Sequence, residues 1–270
     1  MTWTAERKVD AALRAPLARA YVREDTRIIE RPGWYQVVTP SARTYLNEVL
    51  LSQVEPGDVE RVIDETMAIY REHGVRMKWY VGPRTRPEDL GERLRRRGFE
   101  SMHLRAMGID TSASLGASED ASVTEIDGTT LDDFVSTVLK GWGLPEDEVA
   151  IERRLHAALL AQEPRVVHFF GARVDGSWAG TAELIMRDGY GYLVGGQVLD
   201  GMRRRRVYTA LLSARLAFLR ARGFEYAVTH ALEETSAPIL ERLGFESLFS
   251  TTCWSRRSCE SHDTSSRRSP

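Results

Sequence analysis

The sequence predicts an α/β (α+β) chain that builds one arrangement twice, each copy a mixed, mostly antiparallel sheet flanked by helices. Three observations carry that expectation. Both halves end in one tetrapeptide, Gly98-Phe99-Glu100-Ser101 and Gly244-Phe245-Glu246-Ser247. Each half has a Gln-Val pair, Gln53-Val54 and Gln197-Val198, ahead of a helical stripe that closes on a glycine. Two Asp-Gly dipeptides, Asp175-Gly176 and Asp188-Gly189, sit between apolar runs, which is the signature of tight hairpins.

The N-terminal copy opens its stripe with Val59, Val62, Ile63, Thr66 and Tyr70 at helical spacing, and Gly74 stops it. A strand over 75–81 follows. Thr85 and Glu88 have the spacing of a capping box for a helix through Leu90 and Leu94. In the C-terminal copy the two hairpins predict a three-strand meander over 166–173, 178–187 and 190–198. Val207, Leu211, Ala214 and Phe218, widened by Leu212, Leu216 and Leu219, predict a helix that ends at Gly223. A strand over 224–230 and a short helix opened by Thr235, Ser236 and Pro238 complete the copy.

Composition shifts divide the chain. Residues 1–110 form the first copy, and the small polar stretch 111–121 reads as a linker. Residues 122–254 form the second copy. The polar stretch 255–270 lacks apolar area to bury and reads as a disordered tail.

With 42% hydrophobic and 28% charged residues, the 270-residue chain has globular composition. Its 37 basic and 39 acidic residues leave a net charge of -2, which excludes a surface built throughout to bind nucleic acid. The two cysteines, Cys253 and Cys259, make neither a disulfide framework nor a zinc site, and no metal is expected. The N-terminal segment is charged and lacks an apolar signal core, and no apolar run is long enough to cross a bilayer, so the expected compartment is the cytosol.

The copies differ where chemistry is expected. Between its Gln-Val pair and the glycine that ends its helix, the C-terminal copy is longer by five residues. It places four arginines, Arg203, Arg204, Arg205 and Arg206, at the start of a helix. A helix N-terminus presents unpaired N–H groups and the positive end of the dipole, and arginine adds charge-assisted bonds to phosphate. The bland reading is a solvated basic face. The N-terminal copy has Glu55-Pro56-Gly57-Asp58 at this place, which repels an anion. Only the C-terminal copy is therefore expected to bind a phosphate-bearing ligand.

The last meander strand carries Gly195-Gly196, which predicts a bulge or a close approach. The turn at Asp188-Gly189 sets Glu183 opposite Val194, beside those glycines. There a carboxylate can take a proton from an attacking amine; its alternative is an exposed strand residue paired with an arginine. His230 ends the strand after the arginine helix, and its ordinary pKa suits proton transfer; its alternative is a hydrogen-bonded structural histidine.

Meander, basic turn, helix, strand, helix and Leu243-Gly244-Phe245, over about residues 123–254, resemble the Gcn5-related N-acetyltransferase (GNAT) superfamily. The first copy is similar to a degenerate unit of the same kind. In that family the turn runs Gln/Arg-x-x-Gly-x-Gly/Ala and cradles the pyrophosphate of acetyl-CoA. Arg203 matches the first position, while Arg206 and Tyr208 stand where the family has small residues. The resemblance implies cofactor contacts at Val198, Leu199, Arg203, Arg204, Arg205, Arg206, Val207, Tyr208 and Ser236. Ser236 falls where the family often has an asparagine against the pantetheine arm; its alternative is helix capping with Thr235. Leu240 falls where the family often has a tyrosine that protonates the leaving thiolate. Trp142, in the turn-rich stretch Lys140-Gly141-Trp142-Gly143-Leu144-Pro145, falls in a region that lines the acceptor pocket in the family, and Tyr190 and Tyr192 either do likewise or simply pack the sheet.

The implied activity is transfer of an acyl group, acetyl or longer, from acyl-CoA to an amine of a small molecule by direct attack. Glu183 and His230 are the candidate catalytic groups. The alternative is a GNAT-fold protein that binds CoA or another anion without catalysis. No nucleic-acid or membrane partner is expected.

Overall fold

The computed structural model describes residues 3–17, 21–41, 43–116 and 120–256. Most of the stretch read as a disordered tail lies outside the described residues, as does Cys259.

In chain order the elements begin with α1 (Ala5–Arg14), β1 (Arg27–Arg31), β2 (Trp34–Val38), β3 (Glu48–Ser52), α2 (Val59–Glu72), β4 (Lys78–Val81), α3 (Leu90–Arg96) and β5 (Glu100–Asp110). They continue with β6 (Ala121–Glu125), α4 (Leu131–Trp142), α5 (Val149–Leu160), β7 (Val167–Val174), β8 (Ser177–Arg187) and β9 (Tyr190–Val198). Last come α6 (Val207–Ala221), β10 (Tyr226–Leu232), α7 (Ser236–Arg242) and β11 (Glu246–Ser255). The meander, its two hairpins and both long helices stand where the sequence predicts them. At the first hairpin Asp175 and Gly176 both have positive φ, as a type I′ turn requires.

The chain forms two compact units. The larger combines the segment up to Val22 with Leu104–Ser250, and the smaller combines Arg23–His103 with the chain from Thr251. In the larger unit the strand order is β5-β10-β9-β8-β7-β6, and β9–β10 is its parallel pair. In the smaller it is β1-β2-β3-β4-β11, with β3–β4 parallel.

The units depart from the division by chain order at 110 and 122, because the last strand of each copy is traded. β5 closes the first copy in sequence yet pairs with β10, Asp110 opposite Tyr226 and Leu104 opposite Leu232. β11 closes the second copy yet pairs with β4, and Ser255, read as the first tail residue, lies opposite Lys78.

Alternation along the strands gives the larger sheet two apolar faces. On one, Leu211, Leu212, Leu216 and Leu219 of α6 pack on Leu184, Leu193 and Ala227. On the other, Phe134, Leu139 and Leu159 of α4 and α5 pack on Phe169 and Ile185. Each such buried side chain stabilises the fold by about 1.5–3 kcal/mol relative to exposure. α1, which the sequence reading did not anticipate, and the 3₁₀ turn that follows it seat Ala11, Ala12 and Ala15 against Tyr190, Tyr226 and Val228.

One local expectation is corrected. Thr85 does not cap α3: its Oγ1 accepts the Gly82 N–H at 3.0 Å and closes the turn after β4, and α3 starts later, behind Asp89.

Candidate active site

The site begins as a fork between two parallel strands. β9 and β10 pair at Gly191–Ala227 and Tyr192–Val228, and among the described residues the pairing stops there. Just beyond it, Thr229 Oγ1 donates to the Leu193 carbonyl at 2.8 Å, a side chain doing what a backbone amide would do in a closed sheet. The cause lies partly in β9. Against β8, Thr181 faces Gln197 and Glu183 faces Val194, so Gly195 and Gly196 together oppose one residue. Such a bulge bends its strand. Gly195 holds φ 61°, and a Cβ there would lie 2.9 Å from the Glu183 carboxyl carbon, so both conformation and space demand glycine. The predicted opposition of Glu183 and Val194 is the observed register.

Because β9 and β10 are parallel, their carboxyl ends lie at one edge, where α6 and α7 begin. After Val198 the Leu199 N–H donates to the Ala179 carbonyl at 2.9 Å, and a short 3₁₀ turn, Asp200–Met202, leads into the arginines. Arg203 pairs with Asp200 and Arg205 with Asp175, each at 2.8 Å. Among the described residues no carboxylate pairs with Arg204 or Arg206. These two have positive φ, 66° and 55°. Left-handed backbone costs a non-glycine residue roughly 1–2 kcal/mol. The turn thus follows the path that glycine at position 206 would favour, although arginine occupies it.

Arg206 is the N-cap of α6 and makes no side-chain capping bond. The first-turn amides therefore keep their capacity to hold an anion. Val207 is buried and offers only its backbone. Tyr208 packs against Gly196, where a Cβ would lie 3.1 Å from its ring, and burial raises its phenol pKa. Uncapped amides beside two guanidinium groups without carboxylate partners fit a diphosphate. Ser236 stands at the same edge, but its Oγ accepts the Leu232 N–H at 2.8 Å, and Thr235 makes no side-chain capping bond.

Glu183, Tyr192, Val194 and His230 share the sheet face opposite α6. Tyr21 donates its hydroxyl to Glu183 Oε2. His156 Nε2 lies 4.0 Å from Glu183 Oε1. From the other face the buried Arg215 Nη1 donates to the carbonyls of Glu183 at 2.9 Å and Val194 at 3.3 Å, pinning both strands beside the bulge. Burial lowers the Arg215 pKa to about 10, which leaves it charged at neutral pH.

His230 Nδ1 lies 3.3 Å from the Tyr192 hydroxyl, and burial lowers its pKa to about 4. It is neutral at physiological pH and a weak proton acceptor. Leu240 is fully buried. Trp142 ends α4 and is 54% exposed, so it is helical rather than part of a turn.

The sequence reading missed Tyr21, Glu152, His156 and Arg215. Arg215 alone left a signal, an arginine inside the apolar stripe of α6. Two surface clefts, of about 450 and 960 Å³, are lined by residues other than those of the arginine turn. Among the described residues no group of three or more His, Cys, Asp or Glu is placed to hold a metal ion, and no helix is long and apolar enough to cross a membrane.

Residues 132–245 match the model of the acetyltransferase (GNAT) family. No curated protein matches the chain. Among solved structures, a GCN5-related N-acetyltransferase from Kribbella flavida superposes with TM-score 0.67 at 14% identity, covering 96% of this chain and 97% of that one. A conserved protein of unknown function from Staphylococcus epidermidis gives TM-score 0.67 at 13% identity, covering 88% and 99%. A tandem GNAT protein from the clavulanic acid biosynthesis pathway gives 0.60 at 14% identity, covering 90% and 86%. Residues 132–245 are thus similar to the acetyltransferase (GNAT) family, and the likeness of the whole chain to these solved structures is one of fold.

Proposed function

We propose that the C-terminal copy transfers an acyl group, acetyl in the simplest case, from acyl-CoA to an amine of a small molecule, and that the N-terminal copy is a degenerate GNAT unit without a cofactor. One observation supports this above the others. The uncapped start of α6, with Arg206 in the left-handed conformation, stands at the carboxyl edge of the β9–β10 fork. The diphosphate of the co-substrate would lie against those amides and against Arg204 and Arg206. The amine nitrogen attacks the thioester carbonyl, the C–N bond forms as the C–S bond breaks, and CoA leaves as the thiol. Glu183 takes the proton that the amine must lose. His230, neutral and bonded to Tyr192, holds the wall of the fork.

Ligand that binds only the folded state raises the melting temperature by mass action, by about 2.7 kcal/mol of stability at a hundredfold excess over Kd. Melting with acetyl-CoA, with CoA and without ligand should show that rise, and thiol release across a panel of amines should identify acceptors. The absence of a shift with every acyl-CoA tried would contradict the proposal. A second reading, a CoA-binding protein without catalysis, is favoured by Leu240, which puts a buried aliphatic group where the family often has an acid. It predicts the melting shift without thiol release.

A further inference from the structure

Behind Glu183 lies a buried row of ionisable groups that the arginine turn does not explain. Glu152 stands in the first turn of α5, where the helix dipole favours a carboxylate. One turn on, His156 Nδ1 lies 2.7 Å from the Glu152 carbonyl and 3.5 Å from Glu152 Oε2. Both of those oxygens are acceptors, so Nδ1 carries the hydrogen. That fixes the other nitrogen: Nε2 faces Glu183 Oε1 across 4.0 Å. Phe134 and Phe169 wall the imidazole, with ring centroids at 5.4 and 4.8 Å. The side chains of Glu152 and His156 are each 4% exposed and that of Glu183 16%, so the row opens outward through Glu183.

A lone pair on Nε2 facing an ionised carboxylate is repulsive. A proton on either group turns the contact into an attraction. Among the described residues, Tyr21 also reaches the pair through its hydroxyl to Glu183 Oε2, Arg215 bonds the Glu183 carbonyl from the opposite side of the sheet, and Tyr192 and His230 share the sheet face with Glu183. Phe134 and Phe169 add no charge.

We propose that His156, backed by Glu152, is the proton partner of Glu183: a positioning residue that sets the ionisation of the base and takes up the proton it removes. The proposal rests on the acyl-transfer reading for its function but not for its geometry. The protons balance as follows. A substrate ammonium gives one proton to the Glu183 carboxylate, which passes it to Nε2 to leave an imidazolium beside Glu152. The freed amine attacks the thioester carbonyl. Its second proton leaves nitrogen as the thiolate sulfur gains one, giving amide and thiol. The imidazolium then returns its proton to solvent through Glu183.

The deciding experiment is an NMR titration of the His156 imidazole in the full chain and in Glu183→Gln, with melting curves to confirm that the variant is folded. Removing an opposite charge at this range disfavours the imidazolium, so the His156 midpoint should fall by about one unit or more in Glu183→Gln. An unchanged midpoint would overturn the proposal, whether or not any acyl-CoA is turned over. Where turnover is found, His156→Gln should lower kcat/KM by about tenfold to a hundredfold, part of the usual range for acid–base catalysis, and shift its acidic limb. CoA affinity should be unchanged. Loss of rate with an unshifted pH profile would show a packing role only and count against the relay.

Discussion

In the N-terminal copy β3 and β4 pair in parallel at Glu48–Lys78 and Val49–Trp79 and are then laced together again. The Arg86 N–H donates to the Ser52 carbonyl, and the Val54 N–H to the Arg86 carbonyl, both at 3.0 Å. The Trp79 indole donates to Ser52 Oγ at 3.0 Å. In the C-terminal copy β9 and β10 also pair twice, but Gly195 and Gly196 turn β9 aside and the fork stays open. The helix starts differ in the same sense. α2 begins after Asp58 and has Glu60 in its first turn, with Arg61, Arg93 and Arg97 paired to these acids. α6 begins at an uncapped arginine. One architecture thus yields a closed wedge with acids at its helix start and an open one with arginines there. A short loop after β4 and a two-glycine bulge account for the difference.

The largest expected contrast is catalytic. Glu183→Gln should reduce kcat/KM by about 10²–10⁴-fold, the usual contribution of a general base, whereas Glu48→Gln in the closed copy should leave it unchanged. Steady-state kinetics on the two variants would erase the contrast if the effects were alike.

The next contrast is in pH and stability, and the signs oppose. Burial raises Glu48 from 4.5 to about 7. The folded state then holds its proton more tightly than the unfolded state, so this contribution is complete below pH 4.5 and is lost as pH rises towards 7. Burial lowers His230 from 6.5 to about 4, so its contribution is present above pH 6.5 and is lost as pH falls towards 4. Each is worth up to about 3 kcal/mol from the size of the shift. Urea melts should show Glu48→Gln gaining on the parent at pH 8 and not at pH 4, and His230→Gln gaining on it at pH 4 and not at pH 8.

The smallest contrast is in affinity. Arg204→Ala and Arg206→Ala should each weaken CoA binding by about tenfold, the low end for a charge-assisted bond. Arg205→Ala should do less, because Asp175 already holds that guanidinium. Arg93→Ala in the closed copy should do nothing, and calorimetric titration would detect any departure from that order.

What the sequence made legible was local. The Asp-Gly turns fixed the meander and its register, so Glu183 could be set against Val194 by counting. The arginines stood out because the other copy has acids at that place. The traded strands were not legible, since β5 meets β10 across more than a hundred residues and nothing in Leu104–Asp110 encodes that partner. His156 was invisible for a related reason. On α5 it lies near Leu155 and Leu159 and reads as part of an apolar face, and its value comes from a strand residue that only tertiary packing brings within 4.0 Å. Closure of the N-terminal fork depends on where the Arg86 backbone returns, which no side-chain pattern announces.

The most direct test of the central claim, that one fork of two holds the co-substrate, is the stoichiometry of acetyl-CoA binding to the full chain by isothermal titration calorimetry. The account predicts one molecule per chain, with affinity reduced by Arg206→Ala and untouched by Glu48→Gln. Two molecules per chain, or none, would contradict it.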